Sequence, residues 1–167
     1  MKEQTIETPR GKIWCAVYGE EKQGVPLLVV HGGPGFVSMP RTVSDFAADR
    51  PVIFYDQLGC GRSDRAADKA YSLEAYVDEL DRVRRGLGLG EVILLGFSWG
   101  CGLIASYVLD RNPDGVRGII LSGPLLSSPR WGADQRGNIA TMPEAVVRFE
   151  SPAARGVAWA RATTGIR

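Results

Sequence analysis

The chain has 167 residues, 44% hydrophobic and 23% charged, with 20 Lys and Arg against 19 Asp and Glu and a single histidine. That length and apolar share suit one folded unit, and a net charge of +1, with its arginines scattered, supplies no field for nucleic acid or an anionic membrane surface. No apolar run nears the roughly 20 residues of a bilayer span, the start Met1 to Arg10 is polar, and Cys15, Cys60 and Cys101 are odd in number and far apart. A cytoplasmic address, no metal site and buried thiols are therefore expected.

In chain order, Thr5 to Thr8 and Lys12 to Tyr18 are β-rich runs separated by Pro9-Arg10-Gly11, which predicts an antiparallel hairpin. Val25 to Val30 is a continuous apolar run, the pattern of a strand buried on both faces, and it ends in the tight loop His31-Gly32-Gly33-Pro34-Gly35. Val52 to Tyr55, Val92 to Leu95 and Gly118 to Leu121 are runs of the same kind. Leu73, Tyr76, Val77, Leu80, Val83 and Leu87 recur at helical spacing behind Ser72 as N-cap, with Glu74 in the first turn and Arg82, Arg84 and Arg85 near the end. A second helix is predicted from Trp99 to Arg111, stopped by Asn112-Pro113. Buried strands alternating with helices predict an α/β fold with a parallel sheet and helical crossovers, and no internal repeat is seen.

After Gly123 the character changes, with Pro124, Ser127, Ser128, Pro129, Pro143 and Pro152 punctuating the chain. The expectation is a core at 1–123 and a distinct region at 124–167, holding a short helix near Glu144 to Phe149 and no further buried strand. Beyond Glu150 only basic charge remains, as Arg155, Arg161 and Arg167, so the end is expected to be poorly ordered or displaced from its proper partners.

The sharpest chemical signal is Gly96-Phe97-Ser98-Trp99-Gly100, a G-x-S-x-G between a buried strand and a helix. A serine nucleophile needs a strained strand-to-helix turn to hold its hydroxyl clear of the backbone, and flanking glycines avoid clashes there. The helix starting at Trp99 aims its amides and positive dipole end at charge developing beside Ser98. The alternative is a serine with only a structural duty in a Gly-rich turn. His31 to Gly35 would lend a backbone N–H to an oxyanion, with Gly33 and Trp99 as candidate donors, and here the alternative is a plain turn. His31 is a candidate general base, but it precedes the serine, whereas hydrolases with such an elbow carry that histidine last. A hydrogen-bonding role in fixing the loop is preferred. Asp56 and Asp64, in Tyr55-Asp56-Gln57-Leu58-Gly59-Cys60-Gly61-Arg62-Ser63-Asp64, read as structural. Gly86-x-Gly88-x-Gly90 ends a helix instead of opening one, no phosphate-loop signature exists, and no nucleotide cofactor is expected. Cys101 lacks a histidine partner and reads as core.

Together HGGPG at 31–35, YDQLGCGRSD at 55–64 and GFSWG at 96–100 resemble the proline iminopeptidase family of α/β-hydrolases, serine peptidases that remove an N-terminal proline. Relatives that hydrolyse L-proline amide and other amino acid amides are equally similar, and the likeness covers about residues 5 to 145. It implies the N-terminal portion of the α/β-hydrolase sheet, Ser98 as nucleophile, and Gly33 and Trp99 at the oxyanion. It further implies His31, Gly32, Gly35, Gly96 and Gly100 as motif support, a small peptide or amino acid amide as substrate, and no cofactor. The stretch from Ser127 to Glu144 resembles the beginning of the family's helical cap.

Phe97 stands where the family more often has Gln, and Cys101 where it more often has Gly. Full members are longer, with a complete cap, an acid and a histidine to follow, whereas no histidine follows Ser98 here. Residues 151–167 do not resemble cap sequence, which points to a truncation or frame shift near Arg148. The chain by itself is expected to be inactive on proline arylamides. An esterase or acyltransferase with the same elbow, or a non-catalytic fragment associating through an uncovered strand at Gly118 to Leu121, stands as the alternative, with the oligomeric state open.

Overall fold

In the computed structural model, which describes residues 1–141, the chain opens with the expected hairpin. β1 (Lys2–Thr8) and β2 (Gly11–Tyr18) pair antiparallel, with Lys2 opposite Val17 and Thr8 opposite Gly11. Pro9 and Arg10 make the turn, and Gly11 closes it at φ 138°, a conformation that strains any side-chain-bearing residue. β3 (Leu27–Val30), β4 (Val52–Tyr55), β5 (Val92–Phe97) and β6 (Val116–Ser122) complete a six-stranded sheet in the order β1-β2-β4-β3-β5-β6. β3, β4, β5 and β6 run parallel, and β2 is antiparallel to β4. This is the mostly parallel α/β sheet that the alternation of apolar runs predicts.

The inner strands β2, β3, β4 and β5 are buried on both faces because their alternate residues enter two different cores, whereas β6, expected as a buried run at Gly118 to Leu121, has no buried residue because it lies at the edge of the described sheet. Ile13, Cys15, Leu28, Val30, Tyr55 and Leu94 face a core closed by α1 (Leu73–Gly86) and α2 (Trp99–Arg111). α1 starts where the Ser72 hydroxyl accepts the Ala75 N–H at 3.2 Å, and it buries Tyr76, Val77, Leu80 and Val83. α2 buries Leu103, Ile104 and Tyr107 and stops at Asn112, which adopts the left-handed conformation. The intervening strand residues Trp14, Leu27, Val29, Phe54 and Leu95 form the second core, against Val43 and Ala47. Those two residues belong to a pair of short 3-10 turns, Pro40–Thr42 and Ser44–Ala48, and the residue between them. Such turns are too short to show as periodicity. All three cysteines are buried and unpaired.

The chain divides into two compact units, Met1–Leu126 and Ser127–Arg167. In the second, the described secondary structure is α3 (Ser128–Ala140), a helix within the stretch that resembles the beginning of a helical cap, although periodicity alone marked none there. Pro129 lies in the first turn, where an N–H has no intrahelical partner, so the proline starts the helix instead of breaking it. Ser127 caps it, accepting the Arg130 N–H on its hydroxyl at 3.4 Å and the Trp131 N–H on its carbonyl at 2.9 Å. The helix expected near Glu144 to Phe149, and the stretch 151–167, lie outside the described residues.

Candidate active site

β3 and β5 are parallel neighbours with Val30 opposite Gly96, so their C-terminal ends finish side by side. From there β3 connects toward β4 on one side of the sheet and β5 toward β6 on the other, the kind of crevice where open α/β sheets bind ligands. This juxtaposition brings the 31–35 loop against the 96–100 turn.

Ser98 links β5 to α2 at φ 50° and ψ −114°, a disfavoured conformation for a residue with a Cβ. Its side chain is exposed. The strain is held by backbone bonds on both sides. The Ser98 N–H donates to the Ser122 carbonyl at 3.0 Å, and the Ser98 carbonyl accepts the N–H groups of Cys101 at 3.0 Å and Leu125 at 3.2 Å. The flanking glycines are required by close approach. A Cβ at Gly96 would lie 2.7 Å from the Cys101 nitrogen, and one at Gly100 would run into the carbonyl oxygens of Val30 and His31. Gly32 packs from the facing loop, where a Cβ would come within 3.1 Å of the Phe97 carbonyl oxygen. The Cys101 thiol lies 3.1 Å from the Gly96 carbonyl and 3.4 Å from that of Ser122. Burial raises its pKa, and it pushes the Cys15 thiol up to about 12, which leaves both as thiols.

In the facing loop, Gly33 (φ 130°) and Gly35 (φ 97°) take backbone conformations that L side chains rarely adopt. His31 is buried, and its Nε2 accepts the Gln57 N–H at 2.9 Å. Nδ1 therefore carries the proton and donates it to the Gly32 carbonyl at 2.8 Å. Gln57 completes a reciprocal pair by donating its side-chain amide to the His31 carbonyl at 3.0 Å. Burial holds the imidazole pKa below its ordinary value, in accord with a neutral ring whose two nitrogens are both engaged.

Asp56 ties the same loop down from the next strand. Its carboxylate accepts the Ser38 N–H at 2.8 Å, the Arg62 N–H at 3.0 Å and the Arg62 guanidinium at 2.7 and 3.0 Å. Burial alone would push this carboxyl up, but the Arg62 and Ser38 donors outweigh it and hold it below the ordinary carboxylate range. Arg62 also stacks over the Trp14 ring at 3.3 Å. Asp64 accepts the Lys12 N–H at 2.9 Å, pinning the end of this turn to β2.

Sequence reasoning missed Glu79. It sits three residues after Tyr76 and four before Val83, inside the apolar stripe of α1, and that position was the available signal. Its Oε1 accepts the Leu58 N–H at 3.1 Å, and burial pushes its carboxyl up to about 8.

The N–H groups of Gly33 and Trp99 have no acceptor among the described residues, and no cluster of His, Cys, Asp or Glu among them is disposed to hold a metal ion. Beside Ser98 lies a cavity of about 190 Å³, walled chiefly by Val29, Phe36, Val37, Met39 and Phe97. The described residues thus offer an exposed serine on a strained turn and a small apolar recess beside it.

A sheet in this order with an exposed serine on the turn from β5 to α2 defines an α/β-hydrolase. A family model described as alpha/beta hydrolase fold matches residues 25–157, and the chain belongs to that family. Within it the chain is similar to proline iminopeptidases. It is 43% identical over 140 residues to the proline iminopeptidase of Heyndrickxia coagulans, covering 83% of this chain and 48% of the relative. It is 42% identical over 137 residues to that of Lactobacillus delbrueckii subsp. bulgaricus, covering 78% and 46%. The crystal structure of proline iminopeptidase from Mycobacterium smegmatis matches with a TM-score of 0.76 at 30% identity, covering 92% of this chain and 55% of that one. The chain thus spans about half the length of these relatives. Among the described residues, no helix is long and apolar enough to cross a membrane.

Proposed function

We propose that this chain carries the nucleophile and oxyanion groups of a serine hydrolase that, in its complete form, releases an N-terminal proline or hydrolyses a small amino acid amide through an acyl-enzyme. The observation that carries this reading is the exposed Ser98 on a strained turn at the start of α2, with Gly32 of the facing loop packed against it; the amides of Gly33 and Trp99 are the proposed oxyanion donors. The similarity to proteins named proline iminopeptidase supports the substrate class.

In this mechanism the Ser98 oxygen attacks the scissile carbonyl carbon while a base takes the hydroxyl proton. The carbonyl oxygen becomes an oxyanion and accepts hydrogen bonds from the Gly33 and Trp99 amides. Collapse of the tetrahedral intermediate expels the amine, which leaves with the proton returned by the base, and water then hydrolyses the acyl-Ser98 ester. His31 is the single histidine of the sequence, and both its nitrogens are committed to the loop. His31 therefore does not serve as the base, and in this proposal the complete enzyme supplies the base, its acid partner and the groups that bind the substrate's free amine.

An esterase or acyltransferase using the same elbow is the second reading, favoured by a cavity whose wall holds no charged side chain. The experiment joins this chain to the C-terminal half of a relative and compares a proline arylamide with a simple aryl ester. Turnover of the arylamide that falls about a millionfold in Ser98→Ala is expected, and none from the 167-residue chain alone. Ester turnover without arylamide turnover moves the assignment to the second reading, and Ser98-independent activity overturns both.

A further inference from the structure

We infer that a buried water site lies among Tyr55, Gln57, Glu79 and Trp99, in the core closed by α1 and α2, and that through it Glu79 positions the first residue of α2. Such a site lies outside the chemistry proposed at Ser98 and can be tested without hydrolysis.

Each of the four residues carries a buried polar atom with no partner among the described residues: the Tyr55 hydroxyl, Gln57 Oε1, Glu79 Oε2 and the Trp99 indole nitrogen. Buried polar groups left unpaired are costly, so four in one region require partners. Leu58 and Tyr76 bring them together. Glu79 Oε1 accepts the Leu58 N–H at 3.1 Å, which sets Oε2 of the same carboxyl beside that loop, and Gln57 is the preceding residue. The Tyr76 hydroxyl, one turn of α1 before Glu79, donates to the Leu58 carbonyl at 3.3 Å. The Tyr76 ring meets the Trp99 indole nearly edge-on, with centroids 6.4 Å apart. Tyr55 stands against the His31 ring, also at 6.4 Å, and the His31 carbonyl accepts the Gln57 amide.

The roles of these atoms match water. An indole N–H only donates, Gln57 Oε1 only accepts, and the Tyr55 hydroxyl does both. Glu79 Oε2 donates while its carboxyl keeps a proton, which burial favours by pushing the pKa up to about 8. Water accepts twice and donates twice, so it can receive the indole N–H and the carboxyl O–H and give to Gln57 Oε1 and Tyr55. A metal cation would meet an indole donor and a neutral acid, and an apolar ligand would leave all four atoms unpaired. The groups facing Glu79 are Arg10 from the β1–β2 turn, Cys15 on β2, Tyr55 on β4, Cys60 on the loop after β4 and Tyr76 on α1. Burial raises both thiols and both phenols above their ordinary values, which leaves Glu79 as the member of this cluster that ionises near pH 8. Ionisation turns Oε2 from donor to acceptor, and water that turns to serve it changes what the Trp99 indole meets. Trp99 directly follows Ser98, so Glu79 is a positioning residue for the elbow.

A crystal structure of the 167-residue chain is expected to show ordered water within hydrogen-bond distance of Trp99 Nε1 and Glu79 Oε2. In the ¹⁵N-labelled chain the Trp99 indole resonance, assigned by its loss in Trp99→Phe, should shift with pH at a midpoint of about 8, and Glu79→Gln should abolish that step. Where Glu79→Gln does not fold, Tyr55→Phe decides: it removes one partner of the water but keeps the ring, and should speed exchange of the Trp99 indole proton at least about tenfold. Side chains pairing directly in place of water, a metal ion at the site, an indole resonance indifferent to pH, a step that survives in folded Glu79→Gln, or unchanged exchange in Tyr55→Phe overturns the inference. Hydrolysis is not the readout, so failure of the complete enzyme to cleave a proline arylamide would leave this result standing, and the converse also holds.

Discussion

Gly100 shows how the elbow depends on single atoms. In a helix an alanine is ordinarily better than glycine by about 1 kcal/mol. At Gly100, however, the added carbon meets the carbonyl oxygens of Val30 and His31, which are backbone and cannot swing aside. Overpacking wins, and Gly100→Ala should destabilise the chain by about 2 kcal/mol in urea unfolding. The same change at Gly137, whose Cβ position in α3 is open, should be neutral or slightly stabilising. A stabilised Gly100→Ala protein would contradict the packing described for α2 over the end of β3. At this scale the glycine spacing around Ser98 was readable, because strand, turn and helix signals are local. The partners of His31 were not readable, because Gln57 lies on a loop brought alongside only by the pairing of β3 with β4.

Among the elements, α1 does more than cover the sheet. Through Glu79 it accepts the Leu58 N–H, and through Tyr76 it donates a hydroxyl to the Leu58 carbonyl at 3.3 Å, so it holds the loop that in turn holds His31 and Ser38. Burial raises the Glu79 pKa from 4.5 to about 8 in the folded chain. The folded state then keeps a proton that the unfolded state has lost, and stability should fall as pH rises from about 4.5 to about 8. The loss amounts to a few kcal/mol, and little further change from this group is expected above that window. His31, with a lowered pKa, acts in the opposite sense, losing stability as pH falls below its ordinary value. Comparing wild type with Glu79→Gln in urea unfolding across this range isolates the carboxyl, since the amide cannot ionise. A pH slope surviving intact in the variant would remove Glu79 as its source. α3 is the element that composition concealed: its serines and prolines look like loop punctuation until the cap at Ser127 is seen.

For the molecule as a whole, the sheet's two edges differ. β1 bears Lys2, Glu3 and Glu7, charges that discourage pairing with another chain. β6, the other edge among the described residues, has one charge, Arg117, and leaves Ile119 and Ile120 exposed at 44% and 48% on opposite faces. The 167-residue chain is therefore expected to self-associate through this strand, eluting above monomer mass in size-exclusion chromatography with light scattering, and Ile120→Lys should restore the monomer. A wild-type monomer at micromolar concentration would count against this role for β6.

The amino-acid sequence by itself determined the alternation of buried strands and helices, the turn that presents Ser98 and the glycines that permit it. Each depends on side-chain size, periodicity and backbone freedom within a few residues of chain. Only the tertiary structure decided which groups meet. It committed the lone imidazole to Gln57 and Gly32, placed a protonatable carboxyl beneath the Leu58 loop, and enclosed an uncharged recess between Val29 and Phe97. Those outcomes depend on strand order and burial, which set hydrogen-bond partners and desolvation between segments far apart in sequence.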